Sequence, residues 1–363
     1  MNTVTYLGVF AAIGMLIFPD ICANSARHSL ILCAKAVIPS LFPYFICINL
    51  ILKGGLAEKI GKRTGFLMRP LFNVPGEGAF VFIAGLLSGY PSGAKCAAEL
   101  LENGRCTKPE AQRMVNFCNN SGPIFILGSV GSSMLGNRTA GAILLAAHVL
   151  SAITLGIILG RNAKTEKAAI SVKHRAVAPS LSAAVTDAVN LILYVCGYIV
   201  FFNILVSLLC AVGIFNPLCR IFAKFGASPE GANAFLCGLI EMTGGISRLS
   251  AINTALPKLL LVSALLGFGG ISVIMQIYGI ISKYGLSLKS FICAKLMQSA
   301  ISVVYTALFS LLPISITTGT TSFSVRGTLV TCIFIAFISL LFIYAACCII
   351  RLLQSCIKHD IIN

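Results

Sequence analysis

Apolar residues fill most of this chain in long blocks, at about 4–20, 28–52, 78–95, 110–135, 138–160, 180–212, 229–248, 257–282, 290–312 and 327–350. Eight of them read as helices near the roughly 20 residues a bilayer span needs. The other two, within 75–95 and 229–248, do not continue as a span should. Their C-terminal halves are crowded with Gly, Pro, Ser and Thr, in SGYPSGAK and EMTGGISR. Both predict re-entrant hairpins, because irregular backbone at membrane depth is tolerated only where protein or a water-filled cavity satisfies its polar groups.

Composition agrees with the pattern. Of 363 residues, 57% are hydrophobic and 10% charged, where a soluble chain carries about 25% charged. One membrane domain fits, with no stretch left for a soluble one. The block 4–20 has no basic n-region or cleavage site and is read as a span, not a signal peptide. The net charge of +16 is cytoplasmic-loop charge and not a nucleic-acid footprint. With the N-terminus inside and neither hairpin crossing, the segments 53–69, 95–113, 161–175, 283–295 and the tail fall inside. They hold nineteen of the 27 basic residues. Lys95, Lys289 and Lys295 are counted among them, whereas Arg248 falls outside.

The fifteen cysteines sit singly in apolar runs without a CxxC, and the four histidines are scattered. Neither a disulfide framework nor a metal site follows, and no cofactor is predicted.

An internal repeat organises what remains. Shifted by 153 residues, Glu77-Gly78-Ala79 falls on Glu230-Gly231-Ala232, Phe82 on Phe235, Gly85-Leu86 on Gly238-Leu239 and Lys95 on Arg248. Each hairpin precedes a glycine-interrupted helix, NNSGPIFILG within 110–135 and LLGFGGISVIMQ within 257–282. The predicted organisation is an N-terminal transmembrane helix (1–27), a first repeat (28–160), a basic cytoplasmic loop (161–178), a second repeat (179–312) and a C-terminal transmembrane helix with a short tail (313–363). Under the charge-derived topology the repeats are inverted. Inverted repeats with interrupted helices are a transporter architecture, with substrate at the midplane between them.

The candidate site collects at the irregular stretches. Ser88, Gly89, Tyr90, Pro91, Ser92 and Gly93 force a turn whose free N–H groups, with Lys95 adjacent, read as an electropositive nest. GYPSGAK lacks the spacing of a nucleotide-binding loop. Asn119, Asn120, Ser121 and Gly122 precede Pro123, which removes a helical N–H and biases Gly122 out of the helix. In the second half, Glu241, Thr243, Gly244 and Gly245 end the hairpin, and Gln276 follows the Gly269-Gly270 break by about two turns. Glu241 is the carboxylate to single out, with Lys95 or Arg248 as its partner or a coupling H+ or Na+ on it. Tyr90 and Phe125 offer an apolar wall. His148 reads as a satisfied polar residue, Lys35 as a snorkelling one, and Glu77 and Glu230 as helix-dipole partners. Catalysis finds little: only three aspartates exist, Asp20, Asp187 and Asp360, and Ser92 with Lys95 lacks a readable oxyanion hole. The chain is read as a non-enzyme.

With GLLSGYPSGAK, FCNNSGPIFILGSVG and GLIEMTGG side by side, the chain resembles the sporulation integral membrane protein family YlbJ (SpoVV), of the group with a nucleoside-recognition or Gate domain. The resemblance implies a layout similar to concentrative nucleoside transporters and a place in the outer forespore membrane, with a role in spore cortex formation and maturation. It also implies transport of dipicolinic acid from the mother cell toward the forespore. The residues themselves do not separate a dianion from a nucleoside. A small-metabolite carrier and a non-transporting scaffold for spore-envelope assembly stay open, as does a homo-oligomer formed through the first span.

Overall fold

The computed structural model describes residues 3–54, 56–161, 180–224, 228–252 and 255–311, and among these every regular element is helical. The basic loop expected at 161–178 and the C-terminal helix and tail expected at 313–363 lie outside the described residues, Arg161 and the loop's edge excepted.

The chain opens with α1 (Thr3–Ile17) and α2 (Pro19–Leu32), which runs through a short π-helical turn at Cys33–Val37 into α3 (Ile38–Lys53). Next come α4 (Leu56–Phe72), the pair α5 (Gly78–Ser88) and α6 (Ser92–Glu102), then α7 (Lys108–Cys118), a π-helical segment Phe125–Met134 and α8 (Arg138–Arg161). The second half holds α9 (Leu181–Ala211), α10 (Asn216–Lys224), the pair α11 (Pro229–Ile240) and α12 (Met242–Ser250), then α13 (Ala255–Phe268), α14 (Gly270–Ile281) and α15 (Leu288–Ser310). Each half thus strings the same parts in the same order: a long helix, an amphipathic helix, a helix pair, an interrupted helix and a second long helix.

Among the described residues, five stretches are long and apolar enough to cross a membrane: Pro19–Ile51, Arg138–Arg161, Leu181–Ala211, Leu256–Tyr284 and Leu288–Ser310. The first expected span is the 15-residue α1, about 22 Å at 1.5 Å per residue and so shorter than a hydrocarbon core of about 30 Å. Three expected inside loops are instead largely helix. Residues 56–69 fold into α4, where Lys59, Lys62 and Arg63 are exposed and Arg69 pairs with the buried Glu110. The second helix of the pair, α6, runs past Lys95 to Glu102. Lys289 and Lys295 lie within α15.

The helices turn the soluble-protein pattern inside out. Along α15, Val304 and Leu308 are exposed while Lys295, Gln298, Ser302 and Thr306 are buried. Polar side chains then join helices in the interior: Thr306 donates to Ser263 at 2.7 Å, Ser263 and Ser302 share a bond of 2.9 Å, and Ser299 donates to the Ala264 carbonyl at 2.8 Å. These bonds tie α13 to α15. Small residues do the corresponding work between α4 and α8, where Gly156 faces the Phe72 ring and Gly160 meets the backbone of Leu71 and Phe72.

A Cβ on Gly160 would lie 2.7 Å from that backbone, whereas one on Gly8 meets nothing within 4 Å. Gly160→Ala should therefore destabilise the protein by about 1–3 kcal/mol through overpacking. Gly8→Ala should leave the melting temperature in detergent unchanged or slightly raised, since alanine favours a helix.

Candidate functional site

Four interruptions of helical backbone meet at one place. The first is Gly89–Pro91 between α5 and α6, where Gly89 has φ of 73°. The second is 119–123, after α7. The third is Glu241 between α11 and α12, and the fourth is Gly269–Gly270 between α13 and α14, with φ of 86° and 84°.

Each touches its neighbours. The Ala94 N–H donates to Asn119 Oδ1 at 2.8 Å, joining the first to the second. Ser121 Oγ lies 4.0 Å from Met242 Sδ, joining the second to the third. A Cβ on Gly270 would sit 3.2 Å from the Met242 nitrogen, and one on Gly269 would sit 3.3 Å from the Tyr90 hydroxyl. These contacts close a ring.

Inside the ring is a chamber of about 60 Å³, lined by Gly89, Tyr90, Ser121, Gly122, Phe125, Glu241, Met242, Thr243, Val273 and Gln276. Val37 from the π-helical turn, Ser40 and Leu41 from α3, and Val195 and Ile199 from α9 complete the wall. Glu241 caps α12: its carboxylate accepts from the Thr243 N–H at 3.0 Å and the Gly244 N–H at 2.6 Å. A carboxylate at a helix N-terminus meets both the free donors and the positive end of the dipole. The Tyr90 hydroxyl and Gln276 Oε1 are buried with no partner, and both residues line the chamber.

Beyond Ser40, which lines both spaces, opens a second cavity of about 570 Å³. His28, Lys35, Ser129, Ser133, Ser247 and Ser250 bring polar groups to it, among apolar neighbours such as Ile31, Ile124 and Met134. Both π-helical segments contribute to this vestibule.

Several expected site residues stand elsewhere. Lys95 donates to Asn49 Oδ1 on α3 at 3.0 Å and does not line the chamber. Arg248 is exposed near the far end of α12, its guanidinium 3.9 Å from Cys210 Sγ. Neither partners Glu241, because the capping geometry already gives that carboxylate two amides. The nest expected at Ser92–Ala94 is occupied from within the chain: the Ser92 N–H donates to the Gly89 carbonyl, Ala94 to Asn119 Oδ1 and Lys95 to the Pro91 carbonyl. Ser88 bonds the Ala84 carbonyl at 2.6 Å. Gly93 and Gly245 serve packing: a Cβ on Gly93 would lie 2.4 Å from the Cys118 carbonyl oxygen, and one on Gly245 2.1 Å from the Gly238 Cα.

Behind the chamber lies a polar cluster that sequence reasoning missed. Lys295, assigned above to an inside loop, is fully buried in α15. Its Nζ donates to the Asn119 carbonyl at 2.9 Å and to Gln298 Oε1 at 2.6 Å, and lies 5.0 Å from the Tyr90 ring centroid. Gln298 in turn donates to Asn120 Oδ1 at 2.8 Å. The signal was available, since Lys295, Gln298, Ser302 and Thr306 recur at helical spacing in the run 290–312, one face of a helix. His148 accepts the Ser121 N–H at Nε2, 3.0 Å away. Among the described residues no group of His, Cys, Asp and Glu is placed to hold a metal ion.

The chain is 30% identical over 332 residues to the sporulation integral membrane protein YlbJ of Bacillus subtilis (strain 168), a match covering 84% of this chain and 80% of that protein. No family model matches the chain. No solved structure matches it.

The hydrogen bonds separate two neighbouring polar residues. Asn119→Ala removes the acceptor of the Ala94 N–H and should cost about 1–3 kcal/mol, read as a lower melting temperature of the purified protein. Ser92 Oγ is buried without a partner, so Ser92→Ala removes no hydrogen bond and should not lower the melting temperature.

Proposed function

Because the chain belongs to the YlbJ family of sporulation integral membrane proteins, we propose that it is a membrane carrier which moves a small organic anion, dipicolinate, by alternating access between inverted repeats. In a sporulating cell the direction is from mother cell toward forespore, which puts the protein in the outer forespore membrane. The observation that carries this reading is the ring of four interruptions around a small chamber beside a larger vestibule. A close-packed scaffold has no use for unpartnered polar groups converging on a cavity, whereas a carrier needs them to meet its substrate. The recurrence of the same five parts in both halves supports the repeat, and the helix pairs are read as the re-entrant hairpins.

The two spaces differ in what they hold. The vestibule falls within the range of about 300–1,000 Å³ typical of small-molecule sites. At about 60 Å³, the chamber is too small for a ring carrying two carboxylates. In this reading the anion first meets Lys35 and His28 in the vestibule. It reaches the chamber when the layer formed by Ser40, Ile124 and Phe125 parts. Tyr90 and Phe125 then flank the ring. Glu241 would repel a second carboxylate, so a dianion enters beside it only with H+ or Na+ on that side chain. One of those two is the coupling ion.

The test is uptake of dipicolinate into proteoliposomes. Wild-type protein should carry it above the level of protein-free liposomes. Lys35→Ala should raise the KM about tenfold, the worth of one hydrogen bond to a charged group, and Lys95→Ala, tied to Asn49, should leave it unchanged. Transport of a nucleoside with no dipicolinate flux would move the substrate to the other class. No flux of either would remove the carrier reading.

A further inference from the structure

Lys295 has no carboxylate partner among the described residues, although it is fully buried in α15. A buried ammonium in a membrane protein is costly unless its protons are met. Everything that meets this one is neutral but electron-rich. The Asn119 carbonyl stands where α7 stops, the negative end of a helix dipole. Gln298 offers an amide oxygen. The Tyr90 ring offers a π face.

Two neighbouring carbonyls at this end are paired within the segment. Val115 O accepts from Asn119 Nδ2 at 2.7 Å and Phe117 O from Asn120 Nδ2 at 2.9 Å. The Cys118 carbonyl is enclosed by the helix pair, since a Cβ on Gly85 would lie 1.8 Å from its oxygen. The Asn119 carbonyl is the one that Lys295 takes.

In carriers built from interrupted helices, carbonyls released where a helix unwinds coordinate the coupling Na+. We propose that the Lys295 ammonium is a built-in cation that fills that position at the end of α7, so that this chain binds no Na+ and transports without it. The inference rests on the carrier reading above and narrows it, leaving H+ as the coupling ion. Lysine suits the role: it is a point charge on a flexible stem, and its stem reaches the break from the facing helix. A tethered cation is never released, so the end of α7 stays neutralised whichever side the chamber opens to.

The test uses full-length protein in detergent, with melting temperatures compared in NaCl and in choline chloride at equal ionic strength. Wild type should show no difference. Lys295→Ala leaves room beside the Asn119 carbonyl and should melt lower in choline. It should recover about 2–4 °C at a Na+ concentration some ten times the vacated site's Kd. Lys295→Met keeps the stem volume and should not respond to Na+. If Lys295→Ala folds only when NaCl is present, that also supports the assignment. Stabilisation of wild type by Na+, or a Lys295→Ala variant that Na+ neither stabilises nor restores, overturns it. Dipicolinate uptake by wild type should be equal in Na+ and choline media, and uptake that requires Na+ overturns the proposal as well. Absence of uptake in both media speaks against the carrier reading alone, because the melting experiment is read without transport.

Discussion

Where a helix stops inside a membrane protein, its last carbonyls and first amides have no water to turn to. The interior of this molecule is arranged around that constraint. Glu241 answers it at the start of α12 with a carboxylate, and Asn119 does so at the start of α6 with an amide oxygen. At the end of α7 the answer is two amide side chains and one ammonium. Negative groups thus stand at amide ends and the positive group at a carbonyl end, as the dipoles require. One side chain often serves two interruptions: Asn119 caps α6 with its Oδ1 while its own carbonyl holds Lys295.

The membrane character and the four interruptions were legible in the sequence because glycine, proline and clustered polar residues mark the places where a helix cannot continue. Glu241 stood out for the same reason. What was not legible is where cations point. Lys95 and Lys295 both border regions read as inside loops, and composition treats them alike. The difference arises because α15 begins at Leu288, which carries Lys295 two turns inward, whereas Lys95 lies on the face of α6 that meets Asn49 on α3. Arg248 was chosen from its alignment with Lys95, but that correspondence is one of chain position, and α12 turns the side chain outward. The nest at Ser92–Ala94 failed for a further reason. A cluster of free amides in sequence says nothing about whether another part of the chain has already claimed them.

The chamber and vestibule share a wall that belongs mainly to the first half. Ser40 borders both spaces, while consecutive residues Ile124 and Phe125 face one each. On the far side the wall comes from α9, through Val195 and Ile199. The chamber is therefore bounded by interrupted elements from both halves, with Val37, Ser40 and Leu41 on one side and α9 on the other.

The reach of the hydrogen bonds across the chain bears on how the protein is made. Asn119 and Asn120 find their partners in Lys295 and Gln298, 176 and 178 residues further on. At about 5–20 residues per second of synthesis, the ribosome needs on the order of ten to thirty seconds to deliver them. Until then the Asn119 carbonyl and the Asn120 side-chain oxygen lack the partners they have in the complete fold.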